Sequence, residues 1–208
     1  LGNEITWLEN NNIENTTIAF AFHAPIYQNE MGVFYIEFFK EFIGSGITSL
    51  LMEELREKKQ WIYNVSLDNY TSPYGTFLLI EISTKNKHIE NVVENTLKIL
   101  KKLANGDFEE KYLEYVKKAY MVEHYDTCLN NSYLSGFYGE QYINQLYITE
   151  KNPVILSFDK VADSILNITK GEFVKFIKKL LVFPNMKVAY QGRKKVEGSE
   201  KLVLNKIK

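Results

Sequence analysis

The chain has 208 residues, of which 45% are hydrophobic and 25% are charged, with 25 basic and 26 acidic side chains. This composition is typical of a globular protein with one large domain or two small ones. The formal net charge of −1 provides no general attraction to nucleic acid or to an anionic membrane. No apolar run approaches the roughly 18 residues of a membrane-spanning helix. We therefore expect neither a nucleic-acid partner nor a membrane partner.

Cysteine and histidine are scarce. The one cysteine, Cys128, excludes an internal disulfide and favours a reducing compartment such as the cytoplasm. The three histidines, His23, His88 and His124, leave little room for a self-contained metal site. The chain begins with Leu-Gly-Asn-Glu rather than with methionine, so we expect it to be cut from a longer polypeptide.

In chain order, the first part of the sequence alternates polar and apolar segments. Residues 1–15 are polar and rich in Asn, which predicts a lead-in or linker. Residues 16–25 form a β-branched and aromatic run that ends at a proline, which predicts a strand covered on both faces. Apolar residues at helical spacing predict a helix over 31–42 and a second helix over 47–59, separated by glycines.

The remaining sequence predicts a hairpin and then mainly helices. Residues 62–70 and 76–83 alternate like strands and are joined by turn residues, which predicts an antiparallel pair. A helix is predicted over 89–103, and another from a capping box of Asp107 and Glu110 onwards, in pieces, to Leu146. Later elements are predicted as a helix over 157–166, a helix opened by a Thr169–Glu172 capping box and ending near 181, and a strand over 186–191.

This order of elements predicts an α+β fold, with a mainly antiparallel sheet and helices packed on it. No second linker interrupts the pattern. We therefore expect residues 16–192 to form one domain, preceded by the lead-in at 1–15 and followed by a Lys-rich tail at 193–208.

Motifs for metal binding and nucleophilic catalysis are missing from the sequence. It contains no HExxH, HxxEH or CxxC. His124 and Cys128 are four residues apart on one predicted helix, and with no third ligand evident this pair favours a packed helix face over a zinc site. Cys128 is interpreted as an inert structural thiol, His23 as a hydrogen-bonded core residue, and His88 as a solvated residue at a helix start.

The segment from Gly44 to Ile82 is more specific. A glycine-rich turn leads into a short helix that ends Glu-Glu-Leu-Arg-Glu-Lys at residues 53–58, and Trp-Ile-Tyr at 61–63 then enters the hairpin. This segment resembles the inverted-zincin (insulinase or M16) peptidase family, which has Ser-Arg-Leu-Phe, Leu-Arg-Glu-Lys and Gly-Leu-Ala-Tyr after such a turn. The likeness extends more weakly over the whole chain. It is to the C-terminal domain of that family, which does not bind zinc, and it implies an M16 metallopeptidase-like α+β fold.

The resemblance also implies roles for two residues. In the family, an arginine and a tyrosine seven residues apart face the zinc, and Arg56 and Tyr63 have this spacing. By resemblance, Tyr63 is a catalytic residue whose hydroxyl stabilises the tetrahedral intermediate, and Arg56 binds the substrate backbone. A phenol suits a developing oxyanion, and a guanidinium can hydrogen-bond carbonyls or a carboxylate. The residues alone leave open that Arg56 forms a helix salt bridge with Glu53 or Glu57, and that Tyr63 is a half-buried strand aromatic.

Two departures from the family pattern flank this pair. The family's Ser-Arg-Leu-Phe is Ser-Leu-Leu-Met at residues 49–52, and its Gly-Leu-Ala is Gln-Trp-Ile at residues 60–62. The first departure removes an arginine, and the second puts bulkier side chains before the tyrosine.

The resemblance implies a C-terminal, substrate-binding and inactive domain of an M16-like zinc metalloendopeptidase. Zinc is then expected in the catalytic half, on the same polypeptide or on a separate subunit, with no cofactor in this chain. An extended peptide is the expected substrate, and the isolated chain is expected to have no peptidase activity. One alternative is a non-catalytic structural or assembly subunit of the same fold, and another is an unrelated α+β binding domain.

Overall fold

The computed structural model describes residues 4–27, 31–45, 49–72, 74–146, 154–199 and 203, and its five strands form one sheet. The strands are β1 (Glu4–Glu9), β2 (Thr16–Ala24), β3 (Ile62–Ser72), β4 (Gly75–Thr84) and β5 (Lys187–Gly192). Their order is β1-β5-β2-β4-β3. The β1–β5 pair is parallel and the other pairs are antiparallel. The predicted α+β class with a mainly antiparallel sheet is confirmed.

The helices follow the predicted order. The described α-helices are α1 (Gly32–Lys40), α2 (Ile89–Ala104), α3 (Glu110–Cys128), α4 (Asn131–Leu146), α5 (Phe158–Asn167) and α6 (Lys170–Leu180). Two wider π-helical turns, at Glu41–Ser45 and Met52–Glu57, occupy the region predicted to be a helix end and a second helix. Gly46, Ile47 and the turn residue Pro73 lie outside the described residues. None of the described helices is long and apolar enough to cross a membrane.

The sheet buries one face under the helices. On β2 the side chains of Ile18, Phe20 and Phe22 are fully buried, whereas the alternate residues between them are only partly buried. The prediction that this strand is covered on both faces is therefore wrong. Ala19 and Ala21 make the second face look apolar in the sequence, but in the structure both residues remain partly exposed.

Strand β1 lies within the segment that the sequence assigns to a lead-in or linker. Its register pairs Glu4 with Lys187 and Glu9 with Gly192. Trp7 stacks on Tyr190 with ring centroids 5.1 Å apart. The sequence pattern missed this strand because Asn-rich residues follow it in the same segment, and because its partner lies at the other end of the chain.

The second of the two predicted capping boxes is confirmed and the first is wrong. The Thr169 hydroxyl accepts a hydrogen bond from the Glu172 N–H, and the Glu172 carboxylate accepts one from the Thr169 N–H. At the start of α3 the N-cap is Glu109, which makes no side-chain cap. Asp107 instead lies 3.7 Å from the Lys102 ammonium. The Asn-Gly turn before it directs the carboxylate back to the end of α2, because Gly106 has φ +77°.

The predicted tail at 193–208 is packed at two described positions. Ser199 is 4% exposed and Val203 is fully buried. The Tyr190 hydroxyl donates a hydrogen bond to the Ser199 carbonyl, over 3.2 Å. The division into a lead-in, a domain and a tail stays a prediction.

Candidate functional site

Arg56 lies in the last turn of the π-helical segment Met52–Glu57. The preceding Leu55 is 1% exposed and holds this turn on the core, so that Arg56 points away from it, with half of its side chain exposed. The Arg56 Nε atom is 3.9 Å from a Glu57 carboxylate oxygen, whereas Glu53 pairs with Lys58 at 2.9 Å. Exposed ion pairs of such length contribute little. The guanidinium is therefore accessible to a ligand.

A left-handed residue ends this helical turn. Gln60 has φ +56°, its N–H donates to the Arg56 carbonyl, and the Trp61 N–H donates to the Leu55 carbonyl, both over 2.9 Å. Glycine adopts this conformation without steric cost, whereas a residue with a Cβ does not. The family's glycine at this position is thus explained by backbone geometry, and the chain retains the geometry with a glutamine.

A β-bulge positions Tyr63 on the edge strand β3. The register pairs Ile62 with Thr84 and Asn64 with Ser83, which leaves Tyr63 as the extra residue between them. The bulge lets both Ile62 and Val65 face the core, although they are three residues apart. Bulges redirect side chains and are frequent at functional sites. The Tyr63 side chain is 45% exposed as a result.

Arg56 and Tyr63 are joined through one short connection rather than by a direct contact. The helix end at Gln60 reverses the chain between them. Arg56 precedes this turn, Tyr63 follows it, and both side chains are exposed. Within the described ranges, no hydrogen bond or ion pair links the two side chains, and the Tyr63 hydroxyl has no protein partner. Their polar atoms are therefore available to a third group.

A small cationic pocket adjoins Tyr63 and was not predicted from the sequence. It has a volume of about 190 Å³ and is lined by Gln60, Trp61, Ile62, Tyr63, Lys85, Lys87 and His88. The run Lys-Asn-Lys-His at residues 85–88 was a visible signal, but only the pairing of β3 with β4 brings it to Tyr63. We refer to these seven lining residues as the cationic pocket.

A larger groove of about 590 Å³ lies between the Met52–Glu57 turn, α2 and the start of α3. Neither Arg56 nor Tyr63 lines it. Its rim is balanced in charge, since Lys58 pairs with Glu53 and Glu54, and Lys102 pairs with Asp107. The groove therefore has no connection to the predicted site residues.

His23 and His88 differ from their sequence interpretations. His23 lies on the open face of the sheet, where it is partly buried and contacts the Phe77 ring at a tilt of 34°, with ring centroids 4.6 Å apart. It is therefore not a core residue, because its parity along β2 is opposite to that of Phe20 and Phe22. His88 is partly buried and stacks on Trp61 at 6.2 Å. It is less solvated than predicted, because the hairpin places Trp61 beside it.

The His124 and Cys128 pair lies on a packed helix face, as predicted. His124 is 5% exposed and stacks on Phe158 with ring centroids 4.0 Å apart. Burial and the nearby Asp159 raise the pKa of the Cys128 thiol, which disfavours the reactive thiolate. The described part of the chain contains no group of three or more His, Cys, Asp or Glu residues suited to a metal ion. These residues therefore do not fit a zinc site.

The buried His124 predicts a loss of stability in mild acid. Burial lowers its pKa below the ordinary value of about 6.5, and its Nε2 atom has no hydrogen-bond partner among the described residues. The unfolded chain therefore binds more protons, so the free energy of unfolding falls as the pH drops below about 6.5. Urea titrations at neutral and mildly acidic pH measure this fall. We expect a smaller fall for His124→Phe, and an equal fall in that variant would contradict the prediction.

Comparisons with known proteins match this fold. A protease from Helicobacter pylori superimposes with a TM-score of 0.76 at 13% identity, over 92% of this chain and 44% of that chain. The peptidase M16 inactive domain from Pseudomonas fluorescens gives a TM-score of 0.75 at 15% identity, over 94% of this chain and 45% of that chain. A chain of Complex III2 from Candida albicans gives a TM-score of 0.75 at 10% identity, over 100% of this chain and 49% of that chain. The chain thus spans less than half the length of these three.

Sequence comparison is more specific than the likeness of folds. A search of the curated proteins finds no match. The family model for the peptidase M16 inactive domain, however, matches residues 2–120, which is more than half of the chain and includes the Arg56 turn, the Tyr63 bulge and the whole hairpin. Together with the fold, this match shows that the chain belongs to the peptidase M16 inactive domain family and is a non-catalytic domain of M16-like proteins.

Proposed function

We propose that this chain is the substrate-binding domain of an M16-like zinc metalloendopeptidase and supplies Arg56 and Tyr63 to a facing catalytic half. The observation that carries the proposal is the exposure of both side chains on one short connection at a sheet edge. Neither side chain has a strong partner within the described chain. Two accessible hydrogen-bonding groups on a rigid turn are suited to contact a peptide bond.

The edge strand β3 provides a place for the substrate. β4 pairs with one of its edges, and no strand covers the other edge among the described residues. An extended peptide can add to such an edge through main-chain hydrogen bonds. A peptide aligned with the start of β3 passes the Tyr63 bulge. This geometry supports an extended peptide as the substrate class.

Within this arrangement Arg56 and Tyr63 have different tasks. The guanidinium of Arg56 donates to substrate carbonyl oxygens and holds the main chain in place. The Tyr63 hydroxyl donates to the oxygen of the scissile carbonyl as it gains negative charge, and therefore acts mainly in the transition state. Zinc, held by the facing half, supplies the activation of the attacking water.

Reconstitution tests this function. The chain alone is expected to hold no stoichiometric zinc and to cleave no peptide, whereas adding the zinc-bearing M16 half, as a linked or a separate polypeptide, is expected to produce peptidase activity. Metal analysis and cleavage of a quenched fluorescent peptide measure the two results. One zinc per isolated chain, or full activity of the zinc-bearing half without this chain, contradicts the proposal.

A second candidate is a structural or assembly subunit. It is supported by the complete coverage of this chain in the match to Complex III2, and by the loss of the family's first arginine in Ser-Leu-Leu-Met at residues 49–52. A scaffold retains its partner complex when Arg56 and Tyr63 are both replaced by Ala. Neither the wild-type complex nor the complex of this double variant then cleaves peptide. Cleavage by the wild-type complex that is lost in the double variant, with the partner still co-purifying, supports the peptidase, whereas co-purification without cleavage by either protein supports the scaffold.

A further inference from the structure

The cationic pocket beside Tyr63 differs in its chemistry from the Arg56 and Tyr63 pair. Three of its seven lining residues are basic or titratable as bases (Lys85, Lys87 and His88), and none of the seven is acidic. Lys85 and Lys87 are exposed at the end of β4, and the Lys85 ammonium lies 6.0 Å from the centre of the Tyr63 ring. The pocket therefore combines positive charge with an aromatic wall.

The positive charge is not neutralised by neighbouring carboxylates. Among the residues with described positions, neither Lys85 nor Lys87 forms an ion pair. Lys59 adds a third ammonium above Trp61, 5.6 Å from the ring centre. In contrast, Lys58 and Lys102 on the larger groove are both paired with acids. No acidic side chain lines the cationic pocket, whereas acidic side chains line the larger groove together with its lysines.

The pocket is held in shape by the fold. The Thr84 hydroxyl donates to the Trp61 carbonyl over 2.6 Å, which fixes the entry into β3 against the end of β4. His88 stacks on Trp61 with an interplanar angle of 28°. Burial and the two lysines lower the pKa of His88, as expected in a positive local field. An anionic group that enters the pocket meets lysines whose positions are set by a sheet and a short turn.

The position of the pocket favours a carboxylate of a peptide over a phosphate of a nucleic acid as its occupant. The pocket lies at the start of an edge strand, and an edge strand binds extended peptides through its main chain. A nucleic acid requires a longer basic track, whereas the chain has a net charge of −1. The strands of the same hairpin carry acidic side chains at Asp68 and Glu81, so they do not extend the basic surface.

We propose that the cationic pocket binds an acidic side chain of the extended peptide, and that Lys85 and Lys87 thereby give the site a preference for acidic substrates. This inference rests on the proposed function, because it assumes a peptide along β3. The Asp or Glu carboxylate lies between the two ammonium groups, while the peptide main chain continues past Tyr63.

The test is a binding comparison with the full chain in a Trp7→Phe background. Trp61 is then the one tryptophan, and its fluorescence reports occupancy of the pocket directly. The probes are a short labelled peptide with central Asp residues and the same peptide with Asn in their place. We expect the Asp peptide to bind about fivefold more tightly at low salt, with the preference reduced at high salt.

Matched variants locate the preference. Lys85→Gln combined with Lys87→Gln is expected to abolish it, and the corresponding pair of Arg substitutions is expected to retain it. Lys118→Gln combined with Lys178→Gln removes the same charge from exposed positions on α3 and α6, and is expected to leave the preference unchanged. Circular dichroism confirms the fold of each variant.

The outcomes separate this inference from the proposed function. Equal binding of the Asp and Asn peptides, or an unchanged Trp61 signal on binding, overturns the pocket assignment and leaves peptide binding intact. Binding of neither peptide overturns both. Tighter binding of single-stranded oligothymidylate than of the Asp peptide, lost with Lys85 and Lys87, assigns the pocket to phosphate and overturns the proposal.

Discussion

Replacing Tyr63 by Phe is expected to lower the kcat of the assembled peptidase about 100-fold, with little change in KM. The substitution keeps the aromatic ring and removes the hydroxyl, which is the proposed donor to the oxyanion. Loss of one such donor has an effect of about this size, because the interaction forms in the transition state. Steady-state kinetics on the assembled enzyme measure both constants.

The fold is not expected to change with this variant. Tyr63 is the extra residue of the bulge and its hydroxyl has no protein partner in the ranges that the structure describes. We expect the free energy of unfolding to change by less than about 0.5 kcal/mol. Tyr70→Phe is the matched control, since Tyr70 lies on the same strand and is 69% exposed. Normal kcat in Tyr63→Phe would contradict the proposed role of the hydroxyl in the transition state.

A change at Arg56 separates binding from chemistry. Arg56→Lys retains the charge but loses the planar set of donors that can hold two carbonyl oxygens at once. If Arg56 binds the substrate backbone in both the ground state and the transition state, KM rises about tenfold while kcat is retained. A fall in kcat with unchanged KM would assign Arg56 to the chemical step.

Replacing Phe173 by Ala is expected to lower the free energy of unfolding by about 4 kcal/mol. Phe173 is fully buried on α6 and its ring contacts a cluster of aromatic side chains. The ring centroids of Phe42 and Phe38 lie 5.1 and 5.2 Å away. Alanine cannot fill this space, and the dense interior around α1 relaxes only in part. Urea unfolding of the chain measures the loss.

The same substitution on the open face of the sheet serves as the control. Phe77 is 50% exposed and contacts His23. Because half of its ring already meets solvent, we expect Phe77→Ala to cost less than about 1.5 kcal/mol. Similar losses of unfolding free energy at Phe173 and Phe77 would contradict a hydrophobic core on one face of the sheet. Phe173 belongs to the buried cluster, whereas Phe77 is half exposed on the other face.

Local sequence patterns predicted most of the elements of this fold. The hairpin followed from period-two alternation around a turn, and α2 from an apolar stripe that ends at Asn-Gly. The Thr169 capping box followed from residues three apart. Each of these features is decided within a few residues, so neighbouring side chains and backbone propensities suffice.

Features that depend on distant partners were missed or wrong. Strand β1 forms only because β5, at the other end of the chain, offers it an edge. The second face of β2 has a largely apolar sequence but is only partly buried in the structure. A pattern of side chains does not reveal which of two apolar faces receives the helices.

The features of the candidate site also divide into those visible in the sequence and those decided by the tertiary structure. The sequence by itself determined the family resemblance and the spacing of Arg56 and Tyr63, because both are encoded in one short, continuous segment. Only the tertiary structure decided the bulge that exposes Tyr63, the left-handed Gln60 and the cationic pocket formed with Lys85 and Lys87. The physical reason is that the bulge and the pocket arise from the β3–β4 register, which brings the distant Lys85 to Tyr63, while the conformation of Gln60 is set by where the helical turn packs on the core.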